Sequence, residues 1–151
     1  MMVSISEFQR KYARAIRAGY AAVFAGAGLS RPSGYVDWRE LLRNIASDIH
    51  LDIDIEQDLV AVAQYYCNEK KSRSQLNELI LNEFVSNGRE NKGLDILSEL
   101  PIGTYWTTNY DHLIEDVLQK RGKRVDIKAT PKSLATILDG RDTVVYKMHG
   151  D

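Results

Sequence analysis

"VFAGAGLSRPSGYVDWRELL", residues 23–42, decides how the rest of the chain is read. An apolar run ends in Gly26-Ala27-Gly28, and a proline, a glycine and an acid follow before the next periodic segment. Such a run, closed by small residues, reads as a buried strand passing into a tight turn, here over residues 20–28. From Asp37 onward the spacing becomes helical, with Trp38, Leu41, Leu42, Ile45 and Ile49 on one face of a helix over 37–50. Asp37 stands where an N-cap belongs, with Glu40 three residues on.

The same alternation continues outward. Residues 1–20 form an amphipathic helix with Phe8, Tyr12, Ala15 and Ile16 on one stripe. Residues 56–71 and 72–88 are helical, the second stopped by Gly88, and 91–101 is a short helix ended by Pro101. "GTYWTTNYD" (103–111) is a strand with a polar exit, and Trp106 is expected in the core. A helix over 112–122, a strand over 124–129, a short helix over 131–140 and a strand over 142–151 complete the chain. Strands that read as buried, alternating with helices, predict an α/β fold: a Rossmann-like parallel sheet with helices on both faces. The helices at about 37–100 form an insertion between the first strand and the "TTNYD" strand.

Composition narrows the function classes. Lys and Arg total 20 against 21 Asp and Glu, which gives no electrostatic case for nucleic acid or an anionic membrane. No stretch approaches the roughly 18 apolar residues of a membrane span, and the N-terminus lacks the apolar centre of a signal peptide. The single cysteine, Cys67, reads as a packing residue; it allows neither an intrachain disulfide nor a four-cysteine zinc site. A cytoplasmic protein without a metal is expected.

Ligands of parallel sheets bind at the carboxyl ends of strands. Three strands exit into polar or glycine-bearing segments: Gly26-Ala27-Gly28-Leu29-Ser30, Thr108-Asn109-Tyr110-Asp111 and His149-Gly150-Asp151. Glycines there let a phosphate approach the backbone. The dinucleotide fingerprint fails, however, because its third glycine position is Arg31. Each exit alone admits a plain alternative: a tight turn, a helix cap by Asn109 or Asp111, a histidine satisfied at a strand end. Together they assemble a base near neutral pH, an amide able to orient a hydroxyl or water, and a carboxylate able to hold an amide. His50 and His112 fall in helical segments and read as surface or packing residues.

"GAGLSRPSGYVDWR" (26–39) resembles the sirtuin signature Gly-Ala-Gly-Ile-Ser followed by Gly-Ile-Pro-Asp-Phe-Arg. Gly34, Asp37 and Arg39 keep its register, with Val36 for proline and Trp38 for phenylalanine. "TTNYD" resembles the family's Thr-Gln-Asn-Ile-Asp, and "MHGD" its catalytic His-Gly. The resemblance implies that residues 1–151 are the N-terminal portion of a sirtuin-like NAD-binding domain. It implies that Gly26, Ala27, Gly28, Ser30 and Thr108 contact NAD, and that Asp37, Trp38 and Arg39 form a mobile cofactor loop. Asn109 and His149 would be catalytic, and Asp111 would bind the nicotinamide carboxamide.

Two Cys-x-x-Cys pairs of deacetylating sirtuins have no counterpart here, and the pattern looks closer to sirtuin-like domains of bacterial defence proteins. That resemblance implies NAD hydrolysis to nicotinamide and ADP-ribose, in an anti-phage setting. NAD-dependent lysine deacetylation, and a NAD-binding or assembly module without turnover, are the alternatives. A further C-terminal region or partner protein completing the fold, and an oligomer, are expected.

Overall fold

The computed structural model describes residues 3–35, 37–85 and 90–150; Val36, Gly88 with its expected helix stop, and Asp151 lie outside them. The elements in chain order are α1 (Ile5–Arg17), β1 (Ala22–Ala25), α2 (Ala27–Ser30), α3 (Trp38–Asp48), α4 (Leu59–Lys70), α5 (Ser74–Val85), α6 (Lys92–Glu99), β2 (Thr104–Thr107), α7 (Leu113–Lys120), β3 (Val125–Lys128), α8 (Pro131–Leu134) and β4 (Thr143–Lys147). They divide into two compact units, one of residues 1–29 and 90–151, the other of residues 30–89.

The first unit holds an all-parallel sheet, four-stranded among the described residues, in the order β1-β2-β4-β3. Side chains alternate across a pleated strand, so register decides which residues share a face. Ala25, Tyr105 and Val145 lie on one face and are buried with Ile114 and Leu118 of α7 and Leu94 of α6; Tyr12 and Ile16 of α1 pack against them. The Tyr105 hydroxyl donates to the Leu97 carbonyl at 2.9 Å, and burial pushes its pKa up to about 12. The connections β2-α7-β3 and β3-α8-β4 run in opposite directions along the sheet. Right-handed crossovers therefore put α7 and α8 on opposite faces.

Phe24, Trp106 and Tyr146 share a register row on the second face. Phe24 is 69% exposed and Trp106 36%, with the Trp106 ring stacked on Tyr146 at 4.1 Å between centroids. Hydrophobicity suggested a core position for Trp106; strand parity turns it away from the buried row instead.

The helix expected over 131–140 stops after one turn. Thr130 and Ser133 form a capping box at its start. Beyond it, β3 side chains take the backbone groups that a longer helix would use. The Lys128 ammonium donates to the Thr136 carbonyl, and Asp126 Oδ2 accepts from the Leu138 amide at 3.2 Å.

The second unit is helical. Leu42, Ile45 and Ala46 of α3 are buried with Val62 and Tyr66 of α4, Leu76 of α5 and Ile53; Trp38 and Cys67 pack against them. Asp37 caps α3, accepting from the Glu40 amide at 3.0 Å, and Asp58 caps α4 from Ala61 at 3.0 Å. Each such cap contributes roughly 1 kcal/mol. Gly34 closes the 3-10 turn Arg31–Ser33 at φ 97°, in the left-handed region that favours glycine.

Candidate functional site at the carboxyl edge of the sheet

Strands β1, β2 and β4 are neighbours, so their exits meet at one edge of the sheet. The Thr108 amide donates to the Ala25 carbonyl at 3.2 Å, carrying the β1–β2 ladder one residue past the strands. Asn109 then turns back. Its backbone amide donates to Thr107 Oγ1 at 3.0 Å, and its side-chain Nδ2 donates to the Gly26 carbonyl at 3.1 Å. On the other exit, the Met148 amide donates to the Thr107 carbonyl at 2.8 Å. His149 follows, exposed, with its ring 6.3 Å from that of Tyr110 and nearly parallel to it. His149 thus borders Tyr110, the residue that follows Asn109, whose side chain reaches Gly26.

The glycine turn is pinned from two sides. Gly26 carbonyl accepts from Asn109 and also from the Leu29 amide at 2.9 Å. The Leu29 carbonyl accepts from Asn91 Nδ2 at 2.6 Å, while Asn91 Oδ1 caps α6 from Gly93 and Leu94. The two glycines themselves are not required by the protein. Neither Gly26 nor Gly28 has a positive φ. A β-carbon at Gly28 would meet nothing within 4 Å, and one at Gly26 would rest 3.7 Å from Thr108 Oγ1, an ordinary contact. Ala27 and Gly28 already lie in α2, where glycine costs roughly 1 kcal/mol relative to alanine. Small residues here leave room outside the chain, which is what a closely approaching ligand needs.

Asp111 is buried, and its Oδ1 accepts from the Leu113 amide at 3.1 Å, starting α7. The helix-start reading of Asp111 is therefore part of its role. Of the other sequence-derived candidates, Ser30, Asp37, Trp38 and Arg39 lie in the second unit. Asp37 caps α3 and pairs with Arg31 at 3.1 Å, Trp38 packs on the helical core, and the Arg39 guanidinium donates to the Ile53 carbonyl.

Sequence reading missed three residues. Asn91 could have been found as a capping type just before Lys92-Gly93. Lys147 and Glu115 form a buried pair under the Asn109 segment: Lys147 Nζ donates to the Tyr110 and Asp111 carbonyls at 2.9 and 3.1 Å, with Glu115 Oε1 at 3.4 Å. Burial pushes the Glu115 carboxyl above its usual range, and the Lys147 charge draws it only partly back. Among the described residues no group of His, Cys, Asp and Glu is placed to hold a metal ion, and no helix is long and apolar enough to cross a membrane.

Residues 103–151 match the SIR2-like domain family model. The chain is 50% identical over 145 residues to the NAD(+) hydrolase ThsA of Bacillus cereus (strain MSX-D12), covering 95% of this chain and 30% of that protein. It is 52% identical over 130 residues to the protein of the same name from Acinetobacter baumannii (strain 532279), covering 86% and 27%. With that of Cytobacillus dafuensis it shares 45% over 142 residues, covering 94% and 28%. The chain therefore spans under a third of the length of these curated relatives.

Proposed function

We propose, from the match of residues 103–151 to the SIR2-like domain model, that the chain is the N-terminal portion of a sirtuin-like NAD-binding domain, helically inserted, whose protein hydrolyses NAD at the nicotinamide–ribose bond. The observation that carries this is the glycine turn: Gly26 and Gly28 answer no demand of the fold, yet they stand beside Asn109 at the carboxyl edge of three adjacent strands. The naming of relatives that are 45–52% identical as NAD(+) hydrolases supports hydrolysis over deacylation.

In the proposed reaction NAD is the substrate. Its pyrophosphate lies against Gly26, Ala27 and Gly28, with Thr108 alongside. Asn109 orients a water, and His149 takes its proton as the new oxygen–carbon bond forms at the ribose. The glycosidic bond breaks and its electron pair passes to the nicotinamide ring nitrogen, leaving nicotinamide and ADP-ribose. Asp111 holds the nicotinamide carboxamide. By the sirtuin resemblance, Ser30, Asp37, Trp38 and Arg39 are further proposed NAD contacts. The proposed setting is cytoplasmic, as the effector of an anti-phage defence system, in an oligomer with a further C-terminal region or partner protein.

The test is incubation of the native protein with NAD alone and measurement of free nicotinamide. Stoichiometric release without a peptide is expected. Release only on adding an acetylated peptide would transfer the site to deacylation, and tight NAD binding without release would make it a binding module.

A further inference from the structure

Lys147 and Glu115 take no part in the chemistry just described, yet both are almost completely buried within the segment that presents it. The Lys147 side chain is 0% exposed and that of Glu115 2%. Desolvating two charges costs several kcal/mol per ion, so a buried pair is weak evidence for stability in itself. What the ammonium grips is more informative. Its partners include two consecutive backbone carbonyls, Tyr110 and Asp111, with a Glu115 carboxylate oxygen at 3.4 Å. An ammonium can donate to both carbonyls while facing the carboxylate, which an apolar side chain cannot do.

Fixing those two carbonyls fixes the peptide planes between Asn109 and α7. That sets the approach of Asn109 Nδ2 to the Gly26 carbonyl and the direction of the Tyr110 ring, against which His149 lies. Lys147 also precedes His149 by two residues at the end of β4. One side chain therefore ties the strand exit carrying His149 to the strand exit carrying Asn109. Glu115, from the first turn of α7, sets a carboxylate oxygen 3.4 Å from the Lys147 ammonium.

We propose that Lys147 is a positioning residue for NAD cleavage, setting Asn109 and His149 relative to each other through the Tyr110 and Asp111 carbonyls, with Glu115 as its charge partner. The role rests on the hydrolase reading. It places the main effect on turnover, because the glycine turn, although it also accepts from Asn109, keeps its Asn91 and Leu29–Gly26 bonds when that segment shifts.

The test compares the intact native protein with Glu115→Gln and with Glu115→Gln/Lys147→Met, a volume-matched change that removes both charges together. Steady-state kinetics with NAD and amide hydrogen exchange over residues 108–113 are read on each. Relative to Glu115→Gln, the double variant should keep KM within about threefold and lose kcat by ~10-fold or more, the scale expected for a misplaced reacting group. The Asn109 and Leu113 amides should exchange faster. A folded double variant with unchanged kcat overturns the proposal, as does unchanged exchange. If the unmodified protein releases no nicotinamide, the hydrolase reading falls and exchange alone decides whether Lys147 holds this segment.

Discussion

His149 is exposed, and among the described residues its ring meets that of Tyr110, so little of the fold depends on it. His149→Ala should shift stability by no more than about 0.5 kcal/mol, as surface changes do, while abolishing nicotinamide release. Calorimetry and a nicotinamide assay check this pair of outcomes, and a stable variant with normal turnover would remove His149 from the reaction. Asn109 has two duties, a hydrogen bond to Gly26 and the proposed orientation of water. Asn109→Ala should therefore lower turnover by ~10²-fold and slightly loosen the turn. Gly28 separates ligand from fold most sharply. Its β-carbon would enter open space within a helical turn, so Gly28→Ala should leave the melting temperature level or higher. Under the phosphate reading the same methyl group weakens NAD binding by at least ~10-fold, about 1.4 kcal/mol. Unaltered affinity in titration would leave the glycine turn as a turn alone.

At the scale of elements, β3 and the segment after it are held by charge. Asp126 pairs with Lys128 and Arg141, each at 2.8 Å. Burial pushes the Asp126 carboxyl up, but hydrogen bonds from Lys128, Arg141 and the Leu138 amide outweigh it and hold the pKa at about 2, against an ordinary 3.8. A lowered carboxylate stabilises the fold in its ionised form. That contribution is complete above about pH 4 and fades as pH falls through about 2. Acid unfolding should show this loss, and Asp126→Asn should flatten it; an unchanged pH profile in the variant would show that the pair contributes nothing. The elements themselves were largely legible in the sequence. Apolar runs ending in glycine or polar residues marked β1, β2 and β4, and Asp37 marked the start of α3. Lys128 and Lys147 were not legible as buried groups, because a lysine in a strand ordinarily reads as a solvent-facing position. Only parity shows otherwise for Lys147, which alternates with Thr143 and Val145 on the inward row. Trp106 failed in the opposite sense, since size and apolarity spoke for the core and register did not.

Across the whole molecule, the meeting of three strand exits was legible because parallel strands direct all their carboxyl ends to one edge. The Asn109–Gly26 bond and the Lys147 grip were not, because both join residues more than 30 positions apart that no local pattern connects. One cysteine and three histidines in the sequence lead to a further expectation: elemental analysis should find no stoichiometric zinc, and a chelator should leave the melting curve unmoved. Zinc at one per chain would refute it.

The two tryptophans of this chain fall one in each unit, Trp38 against the helical core and Trp106 stacked on Tyr146 in the sheet. Residues 1–151 thus carry a separate optical label for each unit. Within them, Trp38→Phe leaves the half-exposed sheet indole to emit, and Trp106→Phe leaves that of the helical unit. The first variant should emit at longer wavelength than the second, and denaturant titration of the pair would report each half on its own channel. A nucleotide bound at the carboxyl edge of the sheet should quench or shift the Trp106 signal, which gives a direct, label-free readout of binding that does not depend on turnover.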